Sequence, residues 1–389
     1  RNIFFTGITS FLTDTTTKMI YAIMPLFLMS IGASKTEVSL IEGIAESTAS
    51  VLKALSGWWS DKIGKNKPFM VIGYGFTAIL SPLFSTVTSP LQVLVIRFSE
   101  RIGKGIRTAP RDVMVSESSQ SGQSGTAFGI HKALDMAGSA LGILIAYLLL
   151  KNFNGNYDYK QIFIISMIPA ALSLIMFFKI KEKKEERTLK EREPFWKNVK
   201  KLDSQLKLYL FVAFLFTLGN SSNAFLLLRA KNVGFDDTSV ILLYFIYNIT
   251  ASILAIPAGK RSDKVGRKRL LVSGYIVFAL VYLGFAFVFN KTFMITLFVL
   301  YGVYTALTAG VERAFISEIS PKELKGTMLG LHSTVVGIAL LPASAIAGLL
   351  WNSFGAKAPF IFGGCISLLA AFILNIFMNE VKHETKIVS

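Results

Sequence analysis

Two related stretches, about half the chain length apart, decide the fold. The first is Gly57-Trp-Trp-Ser-Asp-Lys-Ile-Gly-Lys-Asn-Lys67, and the second is Gly259-Lys-Arg-Ser-Asp-Lys-Val-Gly-Arg-Lys-Arg269. Gly, Ser, Asp, Lys and Gly stand at the same five places in both copies, with an offset of 202 residues. We interpret each copy as a short charged link between two long apolar runs. A repeat at this distance predicts two copies of one architecture.

A second repeat lies in a different part of each half. Ser116-Glu117, followed by Gly125-Thr-Ala-Phe-Gly-Ile-His131, recurs as Ser317-Glu318 and Gly326-Thr-Met-Leu-Gly-Leu-His332. The offset is 201 residues, nearly the same as for the first repeat. Because two repeats keep almost one offset, we infer an internal duplication.

The composition excludes an ordinary soluble protein. Hydrophobic residues make up 52% of the chain and charged residues only 17%, and the mean hydropathy is +0.53. A soluble domain needs more polar surface than this. The net charge of +17 would suggest nucleic acid for a soluble protein. Here the basic residues cluster in short links between apolar runs, which is typical of membrane proteins, so no nucleic-acid partner is expected.

The apolar runs are about 20 residues long, the length that crosses about 30 Å of hydrocarbon as a helix. We count twelve of them, at approximately 4–31, 37–58, 68–87, 91–108, 125–150, 161–178, 208–229, 239–258, 270–290, 293–316, 327–350 and 358–378. Only helices satisfy the backbone polar groups within a bilayer when the chain is not a closed barrel. The sequence therefore predicts an all-α membrane protein with twelve transmembrane helices.

The links between the runs predict the orientation and the domains. Basic residues are concentrated on one side, which predicts that this side and both termini are cytoplasmic. The predicted domains are an N-terminal half (1–180), a cytoplasmic linker (181–207) and a C-terminal half with a short tail (208–389). Within the linker, residues 194–202 place aromatic and aliphatic side chains near one face. This pattern favours either a helix on the membrane surface or a solvated linker with a few anchoring aromatics.

The repeated pattern resembles the loop signature of the major facilitator superfamily of transporters, in which a glycine precedes an aspartate by four residues. The resemblance implies two six-helix halves related in parallel. It also implies that helices 1, 4, 7 and 10 line a central cavity and that helices 2, 5, 8 and 11 join the halves. Helices 3, 6, 9 and 12 would lie outside, and in this sequence they carry no charged residue in their cores.

By the same resemblance, the signature holds the cytoplasmic side shut during alternating access. We expect the two aspartates to accept hydrogen bonds from a facing helix N-terminus, a favourable site for a negative charge. The predicted gate residues are Gly57, Asp61, Gly64, Arg107, Arg111, Gly259, Asp263 and Gly266. The remaining basic residues of both copies are explained by the positive charge that orients a membrane protein with its basic links in the cytoplasm.

Charged residues within the predicted helices are expensive in a membrane and are therefore functional candidates. The candidates for proton coupling are Asp14, Glu46, Glu100 and Asp135. Such a carboxylate can take up or release a proton when a conformational change moves a neighbouring arginine. We expect the threonines beside Asp14 to hydrogen-bond its carboxylate. The alternative is a structural network of ion pairs.

The charges of the first half are expected to nearly cancel. The acids counted are Asp14, Glu42, Glu46, Glu100 and Asp135, and the bases are Lys53, Arg97, Arg101, Lys104 and Lys132. The second half offers polar and aromatic residues instead. The substrate-binding candidates are Arg97, Arg101, Asn220, Asn223, Asn248, Tyr301, Tyr304, Thr308 and Glu312. This asymmetry favours an amphipathic substrate with its ionised end toward the first half.

The fourth run carries a degenerate form of a second superfamily signature, with Arg97 at its arginine and Gly103 at its later glycine. We expect Arg97 to be structural and Arg101 to distinguish the substrate. We also expect this helix to end before Pro110, because the residue that precedes a proline is driven out of helical geometry.

The sequence as a whole predicts a secondary active transporter in the cell membrane. The favoured mechanism is proton-coupled export of a small organic molecule by a monomer that needs no cofactor. A second hypothesis is uptake or exchange of an organic anion. A membrane-embedded enzyme is a different class, but the chain has no His-Glu-x-x-His, Gly-x-Ser-x-Gly or paired-Cys motif. A non-transporting receptor is a further alternative, although it would not require so many titratable groups at mid-membrane.

Overall fold

The computed structural model describes residues 1–33, 35–152, 159–182 and 202–379. Within them thirteen α-helices follow one another and no β-strand occurs. They are α1 Asn2–Ser30, α2 Lys35–Ile63, α3 Lys67–Leu80, α4 Pro90–Glu117, α5 Ser124–Asn152, α6 Tyr159–Ile175, α7 Ser204–Gly219, α8 Asn223–Asn232, α9 Asp237–Val265, α10 Arg267–Phe287, α11 Lys291–Ile319, α12 Lys325–Phe354 and α13 Ala358–Phe377. Three 3-10 segments, Ser81–Thr86, Met176–Lys179 and Lys322–Leu324, extend α3 and α6 and precede α12.

These helices occupy the twelve predicted runs, with α7 and α8 sharing the seventh. Eight stretches of the described residues are long and apolar enough to cross a membrane by length and composition. The charge-rich α4 is not among them, because it carries eight acidic or basic residues. The predicted surface helix at 194–202 lies almost wholly outside the described residues.

Helices extend further into the loop signature than predicted. Most of each copy is helical, because α2 continues to Ile63 and α9 continues to Val265. The links themselves are only 64–66 and residue 266. Gly64 and Gly266 have φ angles of 71° and 95°, a backbone region that favours glycine. The signature aspartates therefore sit on the last turns of α2 and α9 rather than in loops.

Pro110 does not end the fourth helix, so that prediction is wrong. Helix α4 runs to Glu117 with Pro110 inside it. The proline removes one helical hydrogen bond and normally bends or breaks a helix. Here every residue from Arg107 to Ser116 is buried, so packing against neighbouring helices compensates for the lost bond.

The seventh run is broken, where a continuous helix at 208–229 was predicted. Helix α7 ends at Gly219 and α8 begins at Asn223. A break at membrane depth requires other partners for the released backbone groups. The backbone N–H of Asn220 donates to the carbonyls of Phe216 and Thr217, at 3.1 and 3.0 Å. Discontinuous helices of this kind line substrate sites in transporters.

Helix packing defines two halves that meet mainly through four helices and also through α4 and α11. Within the first half α1 packs on α5 and α6, and within the second half α10 packs on α11 and α13. Between the halves α2 packs on α12 and α5 packs on α9. The second half has its own core rich in aromatic rings, and the first half has a separate core that is mainly aliphatic but also contains Phe27, Phe84 and Phe163. The predicted twelve-helix bundle of two halves is thus confirmed.

Candidate functional site

We call the end of the bundle that carries both signature copies, Gly57–Lys67 and Gly259–Arg269, the signature end. There the Asp61 carboxylate of α2 meets the N-terminus of α12 in the other half. It accepts hydrogen bonds from the backbone N–H of Gly326 at 3.1 Å and of Thr327 at 2.6 Å, and from the Thr327 hydroxyl at 2.7 Å. Asp61 is only 2% exposed, so water does not compete strongly for these bonds. We call this the Asp61 contact.

The second copy makes the equivalent contact in the opposite direction. The Asp263 carboxylate of α9 accepts from the N–H groups of Gly125 and Thr126 at the start of α5, at 2.8 and 2.7 Å, and from the Thr126 hydroxyl at 2.6 Å. Arg267 extends this Asp263 contact, because it lies 3.0 Å from Asp263 and also pairs with Glu318. The hydrogen bonds expected from facing helix N-termini are present in both halves.

The signature glycines allow these helices to touch. A Cβ atom on Gly57 would collide with the carbonyl of Gly326, and one on Gly259 would collide with the carbonyl of Gly125. Larger residues would therefore hold the carboxylates away from the helix termini that they bond. The spacing of glycine and aspartate in the signature is explained by this geometry.

Equivalent residues of the two halves face each other between the two contacts. Ser116 and Ser317, which are 201 residues apart, share a hydrogen bond. Asp112 and Arg313, separated by the same offset, form an ion pair at 3.4 Å, and Arg111 lies 3.0 Å from Asp112. An apolar cluster of Val115, Ala127, Phe128 and Ala314 fills the space beside them. The halves are thus in direct contact across the signature end.

Asp14 lies deeper in the bundle, halfway along α1. No hydrogen bond from a described residue reaches its carboxylate, and the charges that act on it most strongly belong to Asp135, Arg107, Arg111 and Lys18. The adjacent threonines do not satisfy it, which corrects the expectation. Three of them donate to backbone carbonyls instead: Thr15, Thr16 and Thr17.

The other predicted proton-binding carboxylates have clearer partners. Glu100 accepts a hydrogen bond from Arg97 at 2.8 Å, and both side chains are buried. Asp135 lies 3.9 Å from Nδ1 of His131, whose Nε2 is 3.1 Å from the Ser10 hydroxyl. The backbone of Glu42 and Glu46 is part of α2, but their side chains lie outside the described residues.

The arginines of α4 bind different partners along the helix. Arg107 donates to the Thr77 hydroxyl at 2.6 Å and to the Gly73 carbonyl at 3.1 Å, and its guanidinium lies 4.4 Å above the Tyr74 ring. These contacts all join α4 to α3 within the first half. In the described part of the chain, these contacts do not connect Arg107 to the second half, so they give no direct support to its predicted gate role.

The charges along the helices of the first half come close to the expected balance. The basic side chains described along α1, α4 and α5 are Lys18, Arg97, Arg101, Lys104, Arg107, Arg111 and Lys132. The acidic ones are Asp14, Glu100, Asp112, Glu117 and Asp135. Adding Glu42, Glu46 and Lys53 of α2 gives eight bases against seven acids, a small excess of positive charge.

The second half presents a neutral wall of tyrosines and asparagines. Asn220, at the break after α7, donates to the Tyr304 hydroxyl at 3.0 Å. Asn223, at the start of α8, accepts from the Tyr301 hydroxyl at 2.9 Å. The structure therefore brings together four of the predicted substrate-binding residues around the broken helix.

The remaining candidates of the second half lie on α9 and α11. Asn248 donates to the backbone carbonyl of Tyr244 at 2.7 Å, and the Thr308 hydroxyl donates to the carbonyl of Tyr304. Both bonds stay within one helix. Glu312 is half-buried, and the Tyr275 hydroxyl lies 3.4 Å from its carboxylate.

A two-half helical bundle with a charged interior and reciprocal contacts at one end is typical of membrane transporters. The family model described as Major Facilitator Superfamily matches residues 6–228 and 209–388, and the chain belongs to this superfamily. An uncharacterized MFS-type transporter of Methanocaldococcus jannaschii is 37% identical over 380 residues, covering 96% of this chain and 94% of that protein.

Two other relatives have named activities. The multi-drug resistance efflux pump PmrA of Streptococcus pneumoniae is 29% identical over 163 residues, which is 40% of each chain. The cis,cis-muconate transport protein of Acinetobacter baylyi is 22% identical over 368 residues, covering 90% of this chain and 87% of that protein.

Solved structures share the fold. The human organic anion transporter MFSD10 (TETRAN) superposes with a TM-score of 0.81 at 16% identity, covering 96% of this chain and 99% of that one. The proton:xylose symporter XylE gives a TM-score of 0.77 at 18% identity, with 98% and 95% covered.

Proposed function

We propose that this protein is a secondary active transporter that carries a small organic anion together with protons. The observation that carries the proposal is Asp14, a half-buried carboxylate at mid-membrane that no described residue hydrogen-bonds and whose strongest charged neighbours are three basic side chains and one acidic one. A carboxylate in this position is expensive in a membrane and marks a functional site. It provides a place where a proton can bind and leave.

The basic side chains around Asp14 link the proton to the substrate. When Asp14 binds a proton, its surroundings lose a negative charge and their net positive charge increases. An anion is then attracted more strongly, because the interaction of charges is large where the effective dielectric constant is low. Proton and anion therefore bind together, which predicts symport in the direction of the proton gradient.

The Asp61 and Asp263 contacts supply the gate of this mechanism. In our proposal the signature end is cytoplasmic, since its links carry the basic residues. The structure then represents a conformation with the cytoplasmic side shut. Binding of proton and anion drives the halves to separate there, and release occurs into the cytoplasm.

Transport in proteoliposomes tests the proposal. We expect wild-type protein to accumulate an organic anion such as cis,cis-muconate or benzoate when the outside is made acidic. Asp14→Asn should abolish this gradient-driven accumulation but retain downhill exchange of the anion. Asp203→Asn is the matched control, because Asp203 is exposed and asparagine is an equally good helix N-cap. Uphill transport that survives in Asp14→Asn contradicts the proposed role of Asp14, and Glu46→Gln and Glu100→Gln then test the other candidates.

Proton-coupled export is the second candidate function, and the similarity to an efflux pump over 40% of the chain supports it. The same vesicles separate the two functions. An exporter that exchanges protons for its solute accumulates that solute on the acidic side, whereas the symporter depletes it there.

A further inference from the structure

Lys18 is a basic residue at mid-membrane to which the proposed mechanism assigns no role in substrate binding. It lies on α1, one helical turn beyond Asp14 as seen from the signature end. Its Nζ donates to the Tyr244 hydroxyl of α9 at 3.4 Å. Nζ also lies 5.2 Å from the centre of the Tyr21 ring and 5.5 Å from that of Tyr244. No carboxylate of the described residues lies within 4 Å of it.

Tyr21 shows that this group faces the interior of the bundle. The Arg97 guanidinium on α4 lies 5.9 Å from the Tyr21 ring, and Arg97 is fully buried. Tyr21 is nevertheless 45% exposed. A ring that faces α4 and remains open must border a space between the helices. Lys18, Tyr21 and Tyr244 therefore lie beside this open space.

Aromatic rings continue from Tyr244 along the second half. The ring centres of Tyr244 and Tyr247 are 5.2 Å apart, those of Tyr247 and Tyr301 are 5.3 Å apart, and those of Tyr301 and Tyr304 are 5.2 Å apart. Such distances are typical of interacting aromatic pairs. Tyr247, Tyr301 and Tyr304 are buried, so the open rings at the end of the row, Tyr244 and the neighbouring Tyr21, are the ones that a planar aromatic molecule can pack against.

We propose that Lys18 binds the carboxylate group of a small aromatic acid whose ring packs against Tyr21 and Tyr244. The proposal rests on the proposed anion transport and specifies its ligand and site. An ammonium at mid-membrane favours a close anion, and Asp14, the acid that acts on Lys18 along α1, forms no ion pair with it within 4 Å. Arg97 is a poorer candidate because it is already paired with Glu100 at 2.8 Å. One compact ammonium and one phenol hydroxyl match a single carboxylate group.

The site contains residues of both halves, and this couples binding to conformation. Lys18 and Tyr21 belong to the first half and Tyr244 to the second. A carboxylate that accepts hydrogen bonds from both Lys18 and Tyr244 holds α1 close to α9. Ligand binding therefore favours the conformation in which the two helices approach, and separation of these helices weakens binding.

Thermal stabilisation of the purified protein in detergent tests this inference. The probes are benzoate and its neutral analogue benzamide, which differ in charge but hardly in size. We expect benzoate to raise the melting temperature of the wild type and benzamide to have little effect. Lys18→Gln should weaken the apparent affinity for benzoate about 10- to 100-fold, the effect of losing one charge-assisted hydrogen bond. Lys260→Gln removes an equivalent charge from an exposed part of α9 and should leave the affinity unchanged.

Two further variants keep the test decisive if Lys18→Gln does not fold. Lys18→Arg retains the charge and should retain benzoate binding. Tyr244→Phe keeps the ring but removes the hydroxyl, and should weaken binding about 3- to 10-fold. Equal stabilisation by benzoate and benzamide, undiminished benzoate binding in both Lys18→Gln and Tyr244→Phe, or no response of the wild type to benzoate each overturns the inference.

The benzoate-binding test can fail independently of the transport test of the proposed function. If Asp14-dependent uphill transport of another anion is observed while the Lys18 variants bind normally, only the ligand site is wrong. If benzoate binding depends on Lys18 but no pH gradient drives transport, only the proton coupling is wrong.

Discussion

Replacing Asp61 by asparagine changes the Asp61 contact with almost no change in size. In the native protein Oδ2 accepts from both the backbone N–H and the hydroxyl of Thr327, and Oδ1 accepts from Gly326. The amide oxygen of asparagine can replace Oδ2. Its NH₂ group would then face the N–H of Gly326, so one hydrogen bond is lost. The negative charge at the N-terminus of α12 is lost as well.

The free energy by which Asp61→Asn destabilises the closed conformation follows from these two losses. A hydrogen bond to a charged group contributes about 1.5–3 kcal/mol. A charge at a helix terminus contributes about 0.3–2 kcal/mol, and the 2% exposure of Asp61 places it toward the upper end. Together they predict a loss of about 2–5 kcal/mol, which shifts the balance between closed and open signature end on the order of 30- to several-thousand-fold.

Labelling of a buried cysteine measures this shift. Ala314 is fully buried in the apolar cluster at the signature end, and Cys365 is the one native cysteine. In a Cys365→Ala background, Ala314→Cys should react slowly with a maleimide added at the signature end. Asp61→Asn should raise that rate at least tenfold, because the rate follows the open fraction when opening is rare, and it should reduce transport.

The Asp263 contact provides the comparison. Asp263→Asn should have a smaller effect, because Arg267 still donates to Ser124 at 2.7 Å and still pairs with Glu318. A double-mutant cycle between Asp61→Asn and Thr327→Val should show coupling, whereas Asp61→Asn with Thr126→Val should be nearly additive. Unchanged labelling and transport in a correctly folded Asp61→Asn protein would refute the reasoning.

Three further outcomes are expected. Gly57→Ala should destabilise the closed conformation by about 1–3 kcal/mol through overpacking, whereas Gly75→Ala, with nothing within 4 Å of its Cβ position, should be neutral or stabilising in a melting experiment. Glu100→Gln should lower the free energy of unfolding by about 1.5–3 kcal/mol, because it removes a charge-assisted hydrogen bond to the buried Arg97; an unchanged melting temperature argues against a structural pair. Asn220→Ala removes the hydrogen bond to the Tyr304 hydroxyl and should cost about 1–3 kcal/mol, detected as a lower melting temperature together with slower exchange transport.

The sequence predicted well those features in which a local pattern of residue types is compatible with only one structure. Apolar runs of about 20 residues predict spanning helices because backbone groups must be satisfied inside the membrane. The glycine–aspartate spacing in Gly57–Asp61 predicts a carboxylate held against a facing helix terminus, and the three hydrogen bonds to Asp61 have that form.

The features that were missed depend on tertiary packing. Pro110 favours a helix end by local rules, but burial of its neighbours on α4 keeps the helix intact. The break after Gly219 has no strong local signal, since its partners are tyrosines about 60 and 80 residues away, Tyr282 and Tyr304. Local propensity cannot include such contacts.

Lys18 could have been predicted as a functional candidate, because the sequence shows a lysine four residues after Asp14 in an apolar run. Its phenol partner could not, since Tyr244 lies on α9 in the other half. The predicted roles of Arg101 and Glu312 in substrate binding, and of Glu46 and Asp135 in proton coupling, remain predictions that the variants above and their equivalents can test.

The contacts between equivalent residues also carry a record of how the chain arose. If the two halves descend from one duplicated six-helix unit, an ancestor with identical halves placed the same side chain on both sides of the axis. Two serines tolerate that symmetry, because each hydroxyl can donate and accept, as Ser116 and Ser317 still do. Asp112 facing a second aspartate would have been repulsive, so the Asp112–Arg313 pair became possible only after the halves diverged. Once both halves were encoded in one gene, equivalent positions could carry different, complementary residues. A symmetric dimer built from two copies of the first half should therefore fail to close at this position.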